Sequence, residues 1–449
     1  MSDREHYDTV VAGGGIAGLA AAISSARLGA RTLLVERYGF LGGLATAGLV
    51  NPFMSCCTST GEPLIAGFFD DLRARLADLG GLSGNTFDSE AMKLAAQELA
   101  LEAGAELLLH SWVKGAVMDG RAARGVRILN KSGELDCTAR RLVDTTGDGD
   151  VAASAGAPFE IGGPDGIPQA MTMMFDVGGV DLVPALAYAK NSPDQMLFPK
   201  LTPDADLEEL ARGVVSIAGF YDLVAQAKGR SEYPLPGDLI FFISRPRPGE
   251  VVFNTTHVGS VTGTDASDLT KAEIEGRRQA AALVRFVRDY VPGFENAYLL
   301  RMATQIGIRE TRRIRGEYVF SADDVASARK FEDGIARLAY PVDVHPGKGE
   351  GYTRAGEQSA GPIAPPAGDW YEIPYRCLVP LGVENMLVAG RCVSSTHEGQ
   401  GAIRIMPCCA AMGQAAGTAA ALSLSENVTP RNLKPEILLE ALRAQGALV

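Results

Sequence analysis

The chain is poor in the residues that build disulfide frameworks and metal centres. Its 449 residues hold seven cysteines, an odd number, with Cys56-Cys57 and Cys408-Cys409 adjacent and no C-x-x-C anywhere. That spacing excludes a disulfide scaffold and a zinc site, so no metal is expected and the thiols should be reduced and mostly buried. Basic charge is also in short supply: Lys+Arg 42 against Asp+Glu 54 gives −12. This balance argues against a general binder of nucleic acid or of a membrane surface. No apolar run reaches the about 18–20 residues that span a bilayer. The most apolar stretch, Met406 to Leu424, is rich in Ala and Gly and contains Gln414, so it reads as buried core. The first strand begins at Tyr7, which leaves no room for a signal or transit peptide and makes a cytoplasmic protein the expectation. No internal repeat is visible.

Glycine, by contrast, is plentiful, with 52 residues that gather in motifs. Thr9-Val10-Val11 is a β-branched apolar run of the kind found in buried parallel strands. Gly13, Gly15 and Gly18 then fit G-x-G-x-x-G, and a small-residue helix pattern runs from Ile16 to Leu28, stopped by Gly29. A second strand, Arg31 to Val35, ends on Glu36, 18 residues past Gly18. Gly13 permits a tight turn, Gly15 lets backbone approach a pyrophosphate, and Gly18 lets helix pack on strand. The helix N-terminus offers N–H groups and partial positive charge to phosphates, and Glu36 can accept from ribose hydroxyls. Strand, glycines, helix, strand and acid in that order favour nucleotide binding.

The paired Gly42-Gly43 follows just past the second strand. Helices are expected over Phe68 to Leu79 and over Glu90 to Glu102, the latter capped by Asp88 or Ser89. From Ala105 to Val143 four or five short runs suggest an antiparallel meander turning at Gly120, Gly125 and Gly133. The last run enters Thr145-Thr146-Gly147-Asp148-Gly149-Asp150. From Pro158 to Asp369 the character changes: scattered strands (Ala170 to Val177, Leu239 to Ser244, Val251 to Thr256), Pro-rich links, and a long helix from Leu269 to Val291 capped by Asp268. The Gly347–Pro366 segment reads as a mobile loop. A buried strand, Asn385 to Ala389, precedes Gly390-Arg391, the helix from Met406 and a final helix over Pro435 to Gln445. The organisation expected is α/β: a Rossmann-like domain of parallel sheet plus meander in two parts, 1–157 and 370–449, with an inserted α+β substrate domain, 158–369.

Assembled, these segments resemble the two-dinucleotide-fold flavoproteins of glutathione-reductase-like fold, and within them the FAD-dependent oxidoreductase family. The matching residues are GGGIAG at Gly13–Gly18, ERYGFLGGLATAG at Glu36–Gly48 and VDTTGDGDVAASAGAP at Val143–Pro158. To these add IGIRETRRIRGEY at Ile306–Tyr318, EIPYRCLVP at Glu372–Pro380 and the run from Asn385 to Leu422. The resemblance implies FAD as cofactor. Gly13, Gly14, Gly15, Ile16, Ala17 and Gly18 would hold its pyrophosphate, Glu36 the adenosine ribose with Arg37 beside it, and Val113 the adenine through backbone. Gly42, Gly43, Leu44, Ala45 and Thr46 would lie along the flavin side, Thr146, Gly147 and Asp148 would close the second side, and Gly390 and Arg391 would approach the ribityl chain. Arg404 and Met406 would meet the flavin, whose reduced anion a helix N-terminus favours. No C-x-x-x-x-C follows the paired glycines as in flavin disulfide reductases, and Gly390-Arg391 stands where aromatic hydroxylases show G-D. No histidine stands just before Gly42-Gly43, where a covalent histidyl attachment of the fumarate-reductase type would want one, so FAD should be held non-covalently.

Flavin would supply the redox chemistry and the protein would orient substrate and manage a proton. His397, beside Glu398 and between the Gly390-Arg391 turn and the Met406 helix, is the expected base; loop hydrogen bonding is its alternative role. Arg309 within Arg309-Glu310-Thr311-Arg312-Arg313 could recognise a carboxylate, or the cluster could be an ion-pair network between domains. Tyr375 and Arg376 could line the pocket or pack in the core, and His257 is a weaker candidate. Cys408 and Cys409, in a first helical turn, read as buried packing more than as redox thiols. The function expected is hydride transfer between a small polar hydroxy, amino or activated C=C compound and flavin. The rivals are a flavin monooxygenase, an RNA-modifying flavoprotein that the −12 charge opposes, and a flavoprotein subunit passing electrons to a partner. An electron acceptor or NAD(P)H as second substrate, and a homo-oligomer, are compatible with the sequence.

Overall fold

The computed structural model describes residues 6–449 except 55, 234, 350, 352 and 354–362. β1 (His6–Ala12) leads through a glycine turn into α1 (Ile16–Arg27), then β2 (Thr32–Val35), α2 (Phe68–Asp78) and α3 (Ser89–Glu102). Asp88 caps α3, its carboxylate accepting from the Glu90 and Ala91 N–H groups. β3 (Glu106–Leu108), β4 (Trp112–Asp119), β5 (Ala122–Asn130) and β6 (Gly133–Asp144) complete the first sheet, in the order β3-β2-β1-β6-β5-β4. β1, β2, β3 and β6 run parallel, as does the late strand Met386–Val388, which lies against β6. β4 and β5 are antiparallel to their neighbours.

The expected parallel-plus-meander α/β sheet is present, with three corrections inside the meander. GELDCT and RRLVDT are one strand, β6, whose first half pairs with β5 and second half with β1. AELLLHSWV is two strands broken at His110, whose φ is 51°. Gly125 sits within β5 and makes no turn; its position against Cys137 leaves no room for a Cβ.

The second sheet is antiparallel throughout. β7 (Phe175–Gly178), β8 (Met196–Phe198), β9 (Ser216–Gly219), β10 (Ile240–Ser244), β11 (Val251–Phe253) and β12 (Tyr298–Met302) lie in the order β8-β9-β10-β11-β7-β12. Its core is aromatic: Phe175, Phe220, Phe242, Phe253, Phe286 and Phe294 are fully or almost fully buried. α4 (Ala266–Tyr290) covers it with Leu283, Phe286 and Val287. The helix begins earlier than its apolar pattern suggests, because Asp265 accepts from the Asp268 N–H and so caps it, while Asp268 accepts from the Thr262 N–H instead. Ala170 to Met174 lies outside the regular strand, with Met171 and Thr172 making isolated bridges to Val258 and Gly307.

Between the sheets the chain crosses several times. Arg312–Ile314 pairs with Phe159–Ile161, and Gly334–Leu338 pairs with Tyr371–Pro374. Phe320, Ile335 and Leu338 pack into the first core. Asp176, fully buried on β7, accepts from Arg245 and Arg301; Arg245 also donates to the Phe87 carbonyl and Arg301 to Glu90, so this network fastens the second sheet to α3. The greater part of the segment read as a mobile loop lies outside the described residues.

α5 (His397–Ile403), which the sequence did not announce, meets α6 (Met406–Ser425) at a 92° bend. α6 is buried nearly all round and packs against α1. The approach is close because a Cβ on Gly413 would stand 2.1 Å from the Ala17 carbonyl, and one on Gly417 2.0 Å from that of Ala21. Among the described residues no single helix is long and apolar enough to cross a membrane. α7 (Pro435–Ala444) closes the chain against the same core.

Candidate functional site

One elongated cavity of about 490 Å³ runs from the β1–α1 turn to the face of the second sheet. Its first end is built by backbone. Gly13 leaves β1 at φ +99°, where a side chain would be strained and would stand 2.6 Å from the Thr145 carbonyl. α1 then starts at Gly15 with no side-chain cap and no acid in its first turn. Its leading N–H groups are therefore available to an anion, and Gly15, Ile16 and Ala17 line the cavity. Gly43 lies directly over this turn: a Cβ on it would be 2.7 Å from the Gly15 Cα.

Glu36 closes the end of β2. Its carboxylate accepts from the Gly14 N–H at 2.7 Å and the Tyr38 N–H at 2.9 Å, which orients it toward the cavity it lines. Burial raises its pKa, partly offset by these bonds and by Arg37. Arg37 stacks over Trp112 and Tyr38, with Ser111 and Val113 beside them on the lining. Midway, Asp148 accepts from Arg391 at 2.7 Å and from the Thr311 hydroxyl at 2.8 Å, while Thr146, Gly147 and Gly390 line the same stretch.

The far end is built from side chains. Arg404 donates to the Asp343 carboxylate at 3.1 Å, the Tyr340 hydroxyl donates to the same carboxylate at 3.1 Å, and His345 Nε2 stands 3.3 Å from its other oxygen. Burial would raise the Asp343 carboxyl, but His345, Arg404 and Arg309 outweigh it and hold it well below the usual range. Burial first, then Arg309, pushes the His345 imidazole down to about 4, so the ring is neutral at pH 7. Arg309 donates to the Ala170 carbonyl at 2.7 Å and to Asn254 Oδ1 at 3.3 Å. The N-terminus of α6 arrives here with Met406 and Cys409 on the lining. Burial raises the Cys409 thiol to about 12, which keeps it protonated, and also raises Cys408 well above the ordinary thiol value.

The cavity brings together most residues picked out in the sequence: Gly13, Gly15, Ile16, Ala17, Glu36, Arg37, Gly42, Gly43, Leu44, Ala45, Val113, Thr146, Gly147, Asp148, Arg309, Gly390, Arg391, Arg404 and Met406. Gly14, Gly18 and Thr46 lie behind that lining. Gly14 packs on Leu41 and Glu36, Gly18 on the Gly13 carbonyl, and the Thr46 hydroxyl donates to the Leu41 carbonyl.

His397 and Glu398 are not brought to the cavity. His397 opens α5 with Nδ1 2.9 Å from Glu310, a fully buried carboxylate that also pairs with Arg313 and accepts from the Gln169 N–H. Glu398 is exposed. The Arg309–Arg313 cluster therefore divides: Glu310 pairs with Arg313, Arg312 pairs with Asp150, and of the cluster Arg309 alone reaches the cavity. Tyr375 is core, donating to the Pro430 carbonyl, and Arg376 pairs with Asp333. His257 is buried away from the lining. The sequence reading missed Asp343, His345 and Asn254. No spacing announces them: Asp343 and His345 sit together in an irregular segment with no motif, and Asn254 comes from a distant one.

A family model described as FAD dependent oxidoreductase matches residues 8–445. No curated protein matches the chain. Among solved structures, a geranylgeranyl bacteriochlorophyll reductase-like protein from Thermoplasma acidophilum is 14% identical, covering 98% of this chain and 83% of that one, with a TM-score of 0.46. The flavin-dependent brominase Bmp2 is 14% identical over 98% and 83%, TM-score 0.46. L-Proline dehydrogenase from P. horikoshii is 12% identical over 99% and 100%, TM-score 0.44.

Proposed function

We propose, for a chain that belongs to the FAD-dependent oxidoreductase family, that it exchanges a hydride between an organic substrate and flavin inside this one cavity. The observation that carries the reading is continuity: an uncapped helix N-terminus and a ribose-accepting carboxylate at one end open onto a neutral imidazole and two guanidiniums at the other. The residues fit FAD. The glycine-on-glycine crossing is too close for a side chain at Gly43, whose Cβ would stand 2.7 Å from the Gly15 Cα, and the first turn of α1 has N–H groups for a diphosphate. Glu36 would take the adenosine ribose, Asp148 and Arg391 the ribityl region, and the N-terminus of α6 the pyrimidine edge. FAD, when bound, supplies a two-electron acceptor and donor at flavin N5.

The chain's own residues do the rest. His345, rather than His397, handles the substrate proton: if Nε2 donates to Asp343, Nδ1 is the basic nitrogen, and the carboxylate stabilises the imidazolium as it forms. Arg404 and Tyr340 hold that carboxylate in place. The apolar wall of the second sheet excludes water from the reacting atoms. The cytoplasm is the proposed location.

The test is anaerobic. Hydroxy, amino and activated-alkene compounds are screened for bleaching or recovery of the flavin band, and the rate is compared in two variants. His345→Gln is expected to slow flavin reduction by about 10²–10⁴, while His397→Gln leaves it close to wild type. Slow reduction in His397→Gln with normal reduction in His345→Gln contradicts the assignment. If no compound exchanges electrons with the flavin, the hydride reading fails.

A further inference from the structure

We infer that the substrate is an apolar, ring-bearing or branched molecule carrying one carboxylate, which Arg309 and Asn254 grip while the second sheet covers its body. This rests on the flavoenzyme reading and replaces the small polar substrate that the sequence suggested. One wall of the cavity is carried by β8, β9 and β10 through Leu197, Phe198, Ala218, Phe241 and Ile243. Phe198 and Phe241 meet edge to face at 5.4 Å, a geometry that leaves ring faces for a further apolar group. A small polar molecule has nothing to bond on that wall, whereas burying a phenyl-sized group against it is worth about 1.5–3 kcal/mol in transfer terms, tenfold or more in affinity.

The wall ends in a cation. The Asn254 N–H donates to the Phe241 carbonyl at 3.0 Å, so Asn254 sits at the rim of the aromatic surface, and its side-chain oxygen accepts from Arg309. That bond uses the amide oxygen and leaves Nδ2 as a donor beside the guanidinium fork. Arg309 and an adjacent amide donor match a planar carboxylate. The second guanidinium at this end, Arg404, is engaged by Asp343 and immediately precedes the N-cap of α6, so it belongs with the flavin edge. Arg309, bonded to the second sheet, belongs with the substrate.

The experiment is isothermal titration of the holoprotein with phenylpropanoate, phenylpropanamide and propanoate. Phenylpropanoate is expected to bind about tenfold or more tightly than either of the others, the amide lacking the charge and propanoate the ring. Arg309→Gln should remove that advantage over the amide and leave amide binding near wild type. Arg309→Lys, which keeps charge but not the fork, should restore part of it. Phe241→Ala should weaken acid and amide alike. Phenylpropanoate binding no better than propanoate or the amide, absence of binding included, overturns the inference, as does an equal loss of acid and amide binding in a folded Arg309→Gln. Flavin content of the same preparations separates the two claims. A colourless protein that still prefers phenylpropanoate loses the redox reading and keeps the ligand class; a yellow protein with no preference does the reverse.

Discussion

The two ends of the cavity are made of different material. The nucleotide end is backbone: N–H groups at the start of α1, a glycine turn under a second glycine loop, and one carboxylate that two backbone donors hold in place. The reacting end is side chain, assembled from Asn254, Arg309, Asp343, His345 and Arg404, which no single segment supplies. Backbone can be aimed only by local conformation, so that end needs consecutive residues of fixed type. Side chains can be delivered by any element that passes, so the other end is free to vary with the second sheet. On the proposed function, the first end would serve a constant ligand and the second would decide the substrate.

Separating the sheets should have the largest effect. Asp176 holds Arg245 and Arg301 in a buried network that ties the second sheet to α3. Asp176→Ala leaves those guanidiniums without their carboxylate and should cost about 3–5 kcal/mol in chemical denaturation. The early loss should fall on the second sheet, with FAD retained by the first; simultaneous loss of both would show that the two ends are not independent.

Acid should also tell the ends apart. Burial, then Arg309, lowers the His257 imidazole to about 4, against about 6.5 in an unfolded chain. A depressed folded pKa contributes stability above the unfolded value and loses it as pH falls through the folded one. Stability should therefore drop between about pH 6.5 and 4, by about 2–3 kcal/mol from this group, and His257→Gln should flatten the slope. Glu36 has the opposite sign: its raised pKa costs stability as pH rises through it. A His257→Gln protein with an unchanged acid slope would refute the assignment. Smallest is Glu36→Gln, where one oxygen can no longer accept from backbone and the ribose loses a charged acceptor. FAD affinity should fall about tenfold by fluorescence titration, with substrate recognition in the holoprotein unchanged.

The same contrast explains what could be read from the sequence. Gly13 to Glu36 was legible because strand, turn, helix and acid are contiguous and each has one mechanical reason. Met406 to Leu424 was legible as core because it is apolar and rich in Ala and Gly; that Gly413 and Gly417 let α6 close on α1 came only with the structure. His397 misled because proximity in sequence to the Gly390 turn and to α6 is not proximity in space: α5 turns the imidazole toward Glu310. His345 was invisible because the role proposed for it depends on Arg309 and Arg404, which come from other stretches of the chain. The early start of α4 was hidden for a local reason, Asp265 outcompeting Asp268 for the cap.

On the proposed function, one chain of backbone contacts under Gly43 would hold FAD at the head of this cavity. The direct measurement is the absorbance spectrum of the purified protein beside that of Gly43→Val, with cofactor released by heat and identified. The account predicts a yellow wild type that gives up intact, non-covalent FAD, and a folded variant that is colourless and stays so when FAD is added. A wild type that neither carries nor binds FAD, or a variant that holds it as well as wild type does, would contradict it.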